Sequence, residues 1–308
     1  MCVNINEKTD GYHVNKNRIP VFYVRTIENK FMKILFPTDF SEAANHAFIY
    51  ALSLADKLKA EILTIHVYKR PDIRALHLPR TLNEVYRDME LQEFEEYRAS
   101  ISDLQKLIDK RGQTHIPIRH ILAEGEITRQ ILRAAKKESI DFIVIGTKGA
   151  GWLKQIFIGT IAAEVMENAC CPVLAVPNKA VFDGKINKIG VTTSFDLEEA
   201  AVMKKALKFA RIFNADLHCL HVNVLKTDSE SSKEDAFKAL FKGVKNLKFE
   251  ILEGVNIHKT LSEYVEKNGF DMLAMLSHKR NFLEELMTYN EAKMMTYRSK
   301  TPVLAFHA

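Results

Sequence analysis

Cysteine is scarce in this chain. Four in 308 residues (Cys2, Cys170, Cys171 and Cys219) are too few for the disulfide framework of a small secreted domain. The adjacent pair Cys170–Cys171 could close only a strained vicinal bridge, so it is read as two small buried or half-buried side chains. No run approaches the roughly 18 apolar residues of a membrane span, and the N-terminus lacks the apolar core of a signal peptide. Twelve glycines and eight prolines exclude a collagen or a mucin stalk. An apolar content of 47% excludes a wholly disordered chain. An excess of one charge is also missing: 44 Lys and Arg against 39 Asp and Glu leave a net +5. With no basic stripe interleaved with aromatics, neither nucleic acid nor an anionic membrane is expected as a partner. These absences lead to the expectation of a cytoplasmic protein with enough chain for one or two cores.

What the sequence does contain is an internal repeat. Lys33-Ile-Leu-Phe-Pro-Thr-Asp-Phe aligns with Lys188-Ile-Gly-Val-Thr-Thr-Ser-Phe, and the offset of 155 residues holds without a gap through the next two segments. Ala51-Leu-Ser-Leu-Ala matches Ala206-Leu-Lys-Phe-Ala, and Ala60–Val67 matches Ala215–Val222. Both copies close alike, Pro172-Val-Leu-Ala-Val176 against Pro302-Val-Leu-Ala-Phe306. The expected organisation is a polar extension over 1–31, one domain over 32–178, a linker over 179–185 and a second domain over 186–308. The extension has no period and is read as poorly ordered, with Met32 as an alternative start.

Each copy alternates short apolar runs with helical patterns. In the first, the runs 33–37, 61–67, 117–122, 141–146 and 173–176 are β-branched and unbroken, as strands buried on both faces should be. Ala44, Ala47, Ala51, Leu54, Ala55 and Leu58 form one stripe at steps of three and four, and Ile127, Ile131 and Ala135 form another. Residues 82–110 read as a long helix with an acidic, solvated centre. Alternation of this kind implies parallel strands with helical crossovers. The expectation is α/β: two tandem doubly wound domains, each with a mostly parallel sheet of about five strands. The second copy is shorter, with 26 residues between Val222 and Phe249 against 48 between Val67 and Ile116. It has lost most of the long helix.

Ligands of open α/β sheets bind beyond the carboxyl ends of the strands, where strand order reverses. After the run ending at Ile145 comes Gly146-Thr-Lys-Gly149, then nine residues, then Gly159-Thr160. Glycines let backbone N–H groups approach an anion closely. A helix starting at Gly159-Thr160 offers unsatisfied N–H groups and a favourable dipole, while Lys148 adds a cation and Thr160 a hydroxyl. The spacing is neither a Walker A loop nor a dinucleotide fingerprint, and a pair of tight turns that the glycines merely close is the alternative to an anion cradle.

The pattern G-x2-G-x9-G-S/T, filled by Gly146, Gly149, Gly159 and Thr160, resembles the ATP-binding signature of the universal stress proteins. The opening Lys33–Ser41 and the closing Cys171–Val176 are similar to that family's first and last strands, so the chain resembles a tandem universal stress protein over 32–308. The resemblance implies the adenine nucleotide alpha hydrolase-like fold, a cytoplasmic location, and ATP or AMP, with or without Mg2+, at the strand ends. Pro37, Thr38 and Asp39 would meet the nucleoside and Val67 the adenine. Gly146, Lys148 and Gly149 would face ribose and phosphate. Gly159, Thr160, Ile161 and Ala162 would hold the phosphates. Ala162 departs from the hydroxyl that ATP-binding members often carry there. The family's last strands often pair between two units, which here would join Pro172–Val176 to Pro302–Phe306 within one chain. A further homodimer is compatible with this.

In the second copy the same register reads Ser277-His-Lys-Arg280, nine residues, then Asn290-Glu291. Every glycine is gone, a carboxylate stands where a phosphate would sit, and Ser194 replaces Asp39. The second copy is therefore expected to be a structural partner without the nucleotide. No metal or catalytic constellation is expected: no H-E-x-x-H or C-x-x-C occurs. His218 and His221, three apart on a strand, should face opposite sides, and the repeated pair His66 and His221 points to packing. Trp152 and Phe157 read as packing or interface residues. The expected function is a stress-response protein with nucleotide as ligand or switch. A nucleotide-free interaction module and a slow ATPase are the alternatives.

Overall fold

The structure is a computed structural model that describes residues 32–69, 82–147, 160–224, 231–277 and 300–307. In the first half, β1 (Lys33–Pro37), α1 (Glu42–Leu58), β2 (Glu61–Tyr68), α2 (Leu82–Lys110) and β3 (Ile118–Glu124) come first. They are followed by α3 (Ile127–Lys137), β4 (Phe142–Gly146), α4 (Thr160–Asn168) and β5 (Val173–Val176). The second half repeats this order with β6 (Lys188–Thr192), a single 3-10 turn (Leu197–Glu199), α5 (Ala200–Phe213), β7 (Asp216–Asn223) and α6 (Ser231–Ala239). It ends with β8 (Leu247–Glu253), α7 (Ile257–Lys267), β9 (Met272–Ser277) and β10 (Val303–His307).

Local sequence accounts for the helix boundaries. Ser41 caps α1, its hydroxyl accepting from the Ala44 N–H at 3.1 Å, which satisfies a donor the helix itself cannot. Lys59 ends α1 in the left-handed region at φ 50, and Asn214 ends α5 in the same way at φ 55. The stripe read from α1 is buried: Ala44, Ala47, Ala51, Leu54 and Ala55 are all at most 5% exposed. The long helix α2 covers 82–110 as expected, whereas α6, its counterpart, has only nine residues.

Among the described residues the ten strands form one continuous sheet in the order β3-β2-β1-β4-β5-β10-β9-β6-β7-β8. Every pairing is parallel except one. β5 and β10 run antiparallel, with Ala175 opposite Val303, Leu174 opposite Leu304 and Val173 opposite Ala305. Each half is therefore an open doubly wound sheet whose strand order reverses once, between β1 and β4 and again between β6 and β9. The third strand differs from the run 117–122: it is Ile118–Glu124 and its burial is patchy, because as the outermost strand it has helix cover and a neighbour on fewer sides.

The core lies in two layers, one on each face of the sheet, and both layers cross the β5–β10 seam. Phe36, Phe48, Leu174, Leu304, Phe195 and Phe237 belong to one layer. Leu35, Ile143, Val173, Ala305 and Leu273 belong to the other. Ring contacts extend the first layer across the halves, with Phe142 stacked on Phe209 at 5.7 Å and Phe209 edge-on to Phe306 at 6.0 Å.

Leu304 is fully buried opposite Leu174. Truncation at such a site loses transfer energy and leaves a cavity, so Leu304→Ala is expected to cost about 2–5 kcal/mol. Guanidinium unfolding followed by circular dichroism checks this.

Candidate functional site at the strand ends

The turn after β1 is built from three consecutive side-chain-to-backbone bonds. The Thr38 hydroxyl accepts from the Phe40 N–H at 3.0 Å, Asp39 Oδ1 accepts from the Ser41 N–H at 3.1 Å, and Ser41 then caps α1. Short polar side chains make such turns because they mimic the backbone acceptor they replace. The turn requires Phe40 to adopt φ 57. Asp39 is exposed at its tip, so capping and a ligand-facing position coexist.

A histidine from β2 holds this turn in place. His66 Nδ1 donates to the Thr38 carbonyl at 2.9 Å, and its ring lies 5.0 Å from Phe40. On the other side α2 covers it. Tyr97 stacks over the His66 ring at 6.2 Å, and Glu93 Oε1 stands 3.5 Å from Nε2. Burial pushes the Tyr97 phenol above its usual value. The second half repeats the clamp: His221 Nδ1 donates to the Thr193 carbonyl at 2.8 Å, with Phe195 at φ 58 and 4.8 Å from the ring. The repeated histidines do pack, and each also donates a hydrogen bond to the turn. The repeated Thr-x-Phe after β1 and β6 was the sequence signal for this.

The halves diverge inside that turn. In the second half Glu199 is buried at 7% exposure. Its carboxylate accepts from the Thr193 hydroxyl at 2.6 Å and from the Ser194 N–H at 3.1 Å. Ala44 occupies the corresponding position in the first half. An internal carboxylate thus occupies donors in the second half's turn. Sequence reasoning did not find Glu199, since nothing local marks it.

The other expected site residues that are described lie at and beside the first half's reversal point. Pro37 is the last residue of β1, opposite Ile65 of β2, and Val67 lies two residues further along β2, half-buried and opposite Ala123. Gly146 ends β4 opposite Val176, and the following Thr147 is buried with its N–H on the Val176 carbonyl at 3.1 Å. Thr160 opens α4 and is exposed, and Ile161 is half-buried. Ala162 is 2% exposed and packs in the core layer with Ile143 and Val173. Its side chain is therefore turned into the core. Lys148, Gly149 and Gly159, with Trp152 and Phe157, lie outside the described residues. So do His278, Lys279, Arg280, Asn290 and Glu291 of the second half, and the extension 1–31.

The middle of α4 is braced from α3. The Thr128 hydroxyl donates to Glu164 Oε2 at 2.6 Å. Glu126 caps α3 through both oxygens, accepting from the Thr128 N–H at 3.0 Å and the Arg129 N–H at 2.7 Å. These backbone bonds, that of Arg129 first, hold its carboxyl below the usual range. Elsewhere in the second half, Glu250 links His218 to Tyr264. That places His218 on the face opposite His221, which turns toward Thr193.

Among the described residues no group of three His, Cys, Asp or Glu could hold a metal ion, and no helix is long and apolar enough to cross a membrane. Cys171 is buried, and burial pushes its thiol up to about 12. Burial likewise raises the Cys219 thiol. Neither is a nucleophile near neutral pH.

Comparison with known proteins agrees with this architecture. The universal stress protein family model matches residues 30–177 and again 185–307. The chain therefore belongs to the universal stress protein family, with two copies of the family unit in tandem. Universal stress protein MJ0531 of Methanocaldococcus jannaschii is 29% identical over 153 residues, which is 50% of this chain and 86% of that protein. Universal stress protein Slr1230 of Synechocystis is 25% identical over 297 residues, which is 89% of this chain and 99% of that one. Among solved structures, a universal stress protein from Archaeoglobus fulgidus superposes with a TM-score of 0.62 at 22% identity, covering 89% of this chain and 96% of that one. It shares the fold.

Removing the buried Glu199 carboxylate orphans the buried Thr193 hydroxyl and takes away the partner of the Ser194 N–H, so Glu199→Ala is expected to cost about 1.5–3 kcal/mol. Urea unfolding of the variant beside the parent protein measures it. A loss below about 0.5 kcal/mol, the size of an ordinary surface change, would show that the carboxylate does not hold the turn.

Proposed function

We propose that the first half binds an adenine nucleotide, ATP or AMP, as a ligand or switch, and that the second half serves as its structural partner without a nucleotide of its own. The setting is a cytoplasmic stress response. One observation carries the reading. The spacing Gly146, Gly149, Gly159, Thr160 is bracketed by the last residue of β4 and the first residue of α4, at a reversal point of strand order, where open α/β sheets take their ligands.

The chemistry follows from the residues present. Unsatisfied N–H groups at the start of α4 and the dipole of that helix favour phosphate, with the exposed Thr160 hydroxyl as a further donor. Lys148 supplies a positive charge. At the other end, the Pro37-Thr38-Asp39 turn, held by His66 and Phe40, offers a fixed carboxylate to a ribose or base. Val67 offers backbone at the end of β2. Ala162 contributes no hydroxyl, so phosphate would be held by backbone, Thr160 and Lys148. Mg2+ would be carried by the phosphates. In the second half, loss of the glycines leaves no such cradle, and the Glu199 carboxylate already engages the turn donors. Hydrolysis would need a positioned base and a metal-binding carboxylate at the terminal phosphate. Asp39, assigned to the nucleoside end, supplies neither.

Protein purified without added nucleotide, then denatured and run on anion exchange with ultraviolet detection, is expected to release about one adenine nucleotide per chain. Nearly two per chain would overturn the asymmetry between the halves. None, with titrations of ATP and AMP also failing, would leave a nucleotide-free interaction module. Gly149→Arg, which imports the second half's residue, is expected to abolish binding with an unchanged circular dichroism spectrum.

A further inference from the structure

The amino ends of β7 and β8, at the sheet edge distant from β1 and β4 and so well apart from the candidate nucleotide site, border a cleft of about 510 Å3 between the end of α5 and the turn preceding β8. Its floor is apolar, formed by Leu207, Ala210 and Leu217. Its rim is cationic: Arg211 comes from the last turn of α5, and Lys242 and Lys245 come from the turn. All three are exposed, and none has a carboxylate partner among the described residues. Lys248 nearby is different, being paired with Asp216 at 3.2 Å.

The first half shows why the cleft exists. At the repeat offset, Arg211 corresponds to Asp56 of α1. There Asp56 Oδ1 meets His115 Nε2 at 2.8 Å, and Ile116 is buried at 6% exposure, so the turn before β3 closes onto the helix. In the second half a cation replaces the acid on the helix and two more stand on the turn. Like charges oppose closure. The helix dipole accounts for Arg211 at a C-terminus, but not for two lysines contributed by a separate segment.

Three cations converging on one cleft are mutually repulsive until an anion is shared among them. Guanidinium and ammonium groups together match the oxygens of a phosphate, with charge-assisted hydrogen bonds. The volume falls within the range of small-molecule sites, about 300–1,000 Å3, and the apolar floor suits an organic body. We propose that this cleft is a second ligand site, for a small organic phosphate whose anionic group is held by Arg211, Lys242 and Lys245. It is independent of the nucleotide reading of the first half.

The test is backbone-amide NMR on the full chain, titrated separately with phenyl phosphate and inorganic pyrophosphate. Saturable shifts at Arg211, Asn214, Gly243 and Lys245 are expected with phenyl phosphate. Pyrophosphate, lacking an apolar body, should bind the same residues more weakly. The exposed variants Arg211→Asp and Lys242→Glu/Lys245→Glu should each weaken phenyl phosphate at least about tenfold, the scale of one lost charge-assisted contact. Lys204→Glu, two helical turns from Arg211, should leave it unchanged. Equal weakening by Lys204→Glu would overturn the site in favour of diffuse electrostatic attraction. Non-saturating shifts would also overturn it, as would shifts confined to residues near Thr38 and Thr160. The last outcome would assign phosphate to the first half alone.

Discussion

The antiparallel ladder between β5 and β10 is the contact on which the rest of the molecule depends. Each half alone would be a five-stranded open sheet with two bare edges, and an unpaired edge is a template for wrong partners. Pairing Val173–Ala175 with Val303–Ala305 satisfies one edge of each half at once. It also merges the cores. Leu174 and Leu304 share one layer while Val173 and Ala305 share the other, so the halves are fused through apolar contact on both faces. Parallel strands within each half and a single antiparallel seam between them give the sheet a local two-fold arrangement around that seam. The edges that stay outermost, β3 and β8, are the strands with patchy burial.

Given that frame, the repeated turns after β1 and β6 carry a clear structural difference between the halves. Both use the same lock, a histidine donating to a threonine carbonyl with a left-handed phenylalanine packed against its ring. The lock constrains where the next residue is presented. In the first half that residue is Asp39, exposed and ordered by the Ser41 N–H. In the second it is Ser194, and Glu199 reaches back to engage the turn. One scaffold thus presents an acid at one strand end and satisfies its own donors at the other. The long α2 adds to the asymmetry by covering His66 with Tyr97 and Glu93.

Duplication also relaxed the second half elsewhere. In its sheet, His218 and Glu250 join Tyr264 of α7 in a polar trio. The first half uses apolar Leu63 at the position of His218. Buried polar groups hold their place only when paired, and here each member has a partner. At the amino ends of their own strands, Asp56 and His115 close the first half where Arg211, Lys242 and Lys245 leave the second open. Divergence after duplication thus reaches a buried strand position as well as helix ends and turns.

The sequence by itself determined the duplication, the alternation of strands and helices, and the spans of β1, α2 and β5, because apolar periodicity is local and each buried strand or amphipathic helix writes it directly. It also marked the glycine spacing after β4, because glycine is conspicuous in sequence wherever it recurs at fixed spacing behind a buried strand. β3 was less legible because Arg119 and His120 interrupt the apolar run of a strand that is covered incompletely. Only the tertiary structure decided the antiparallel sense and register of β5 on β10, the reach of Glu199 into the turn, the brace from Thr128 to Glu164, and the placement of Ala162 in the core. The partners in the brace are 36 residues apart, and those in the His66 clamp are 28 apart. Such pairings leave no periodic trace along the chain, because they are fixed by how crossovers stack one element on another.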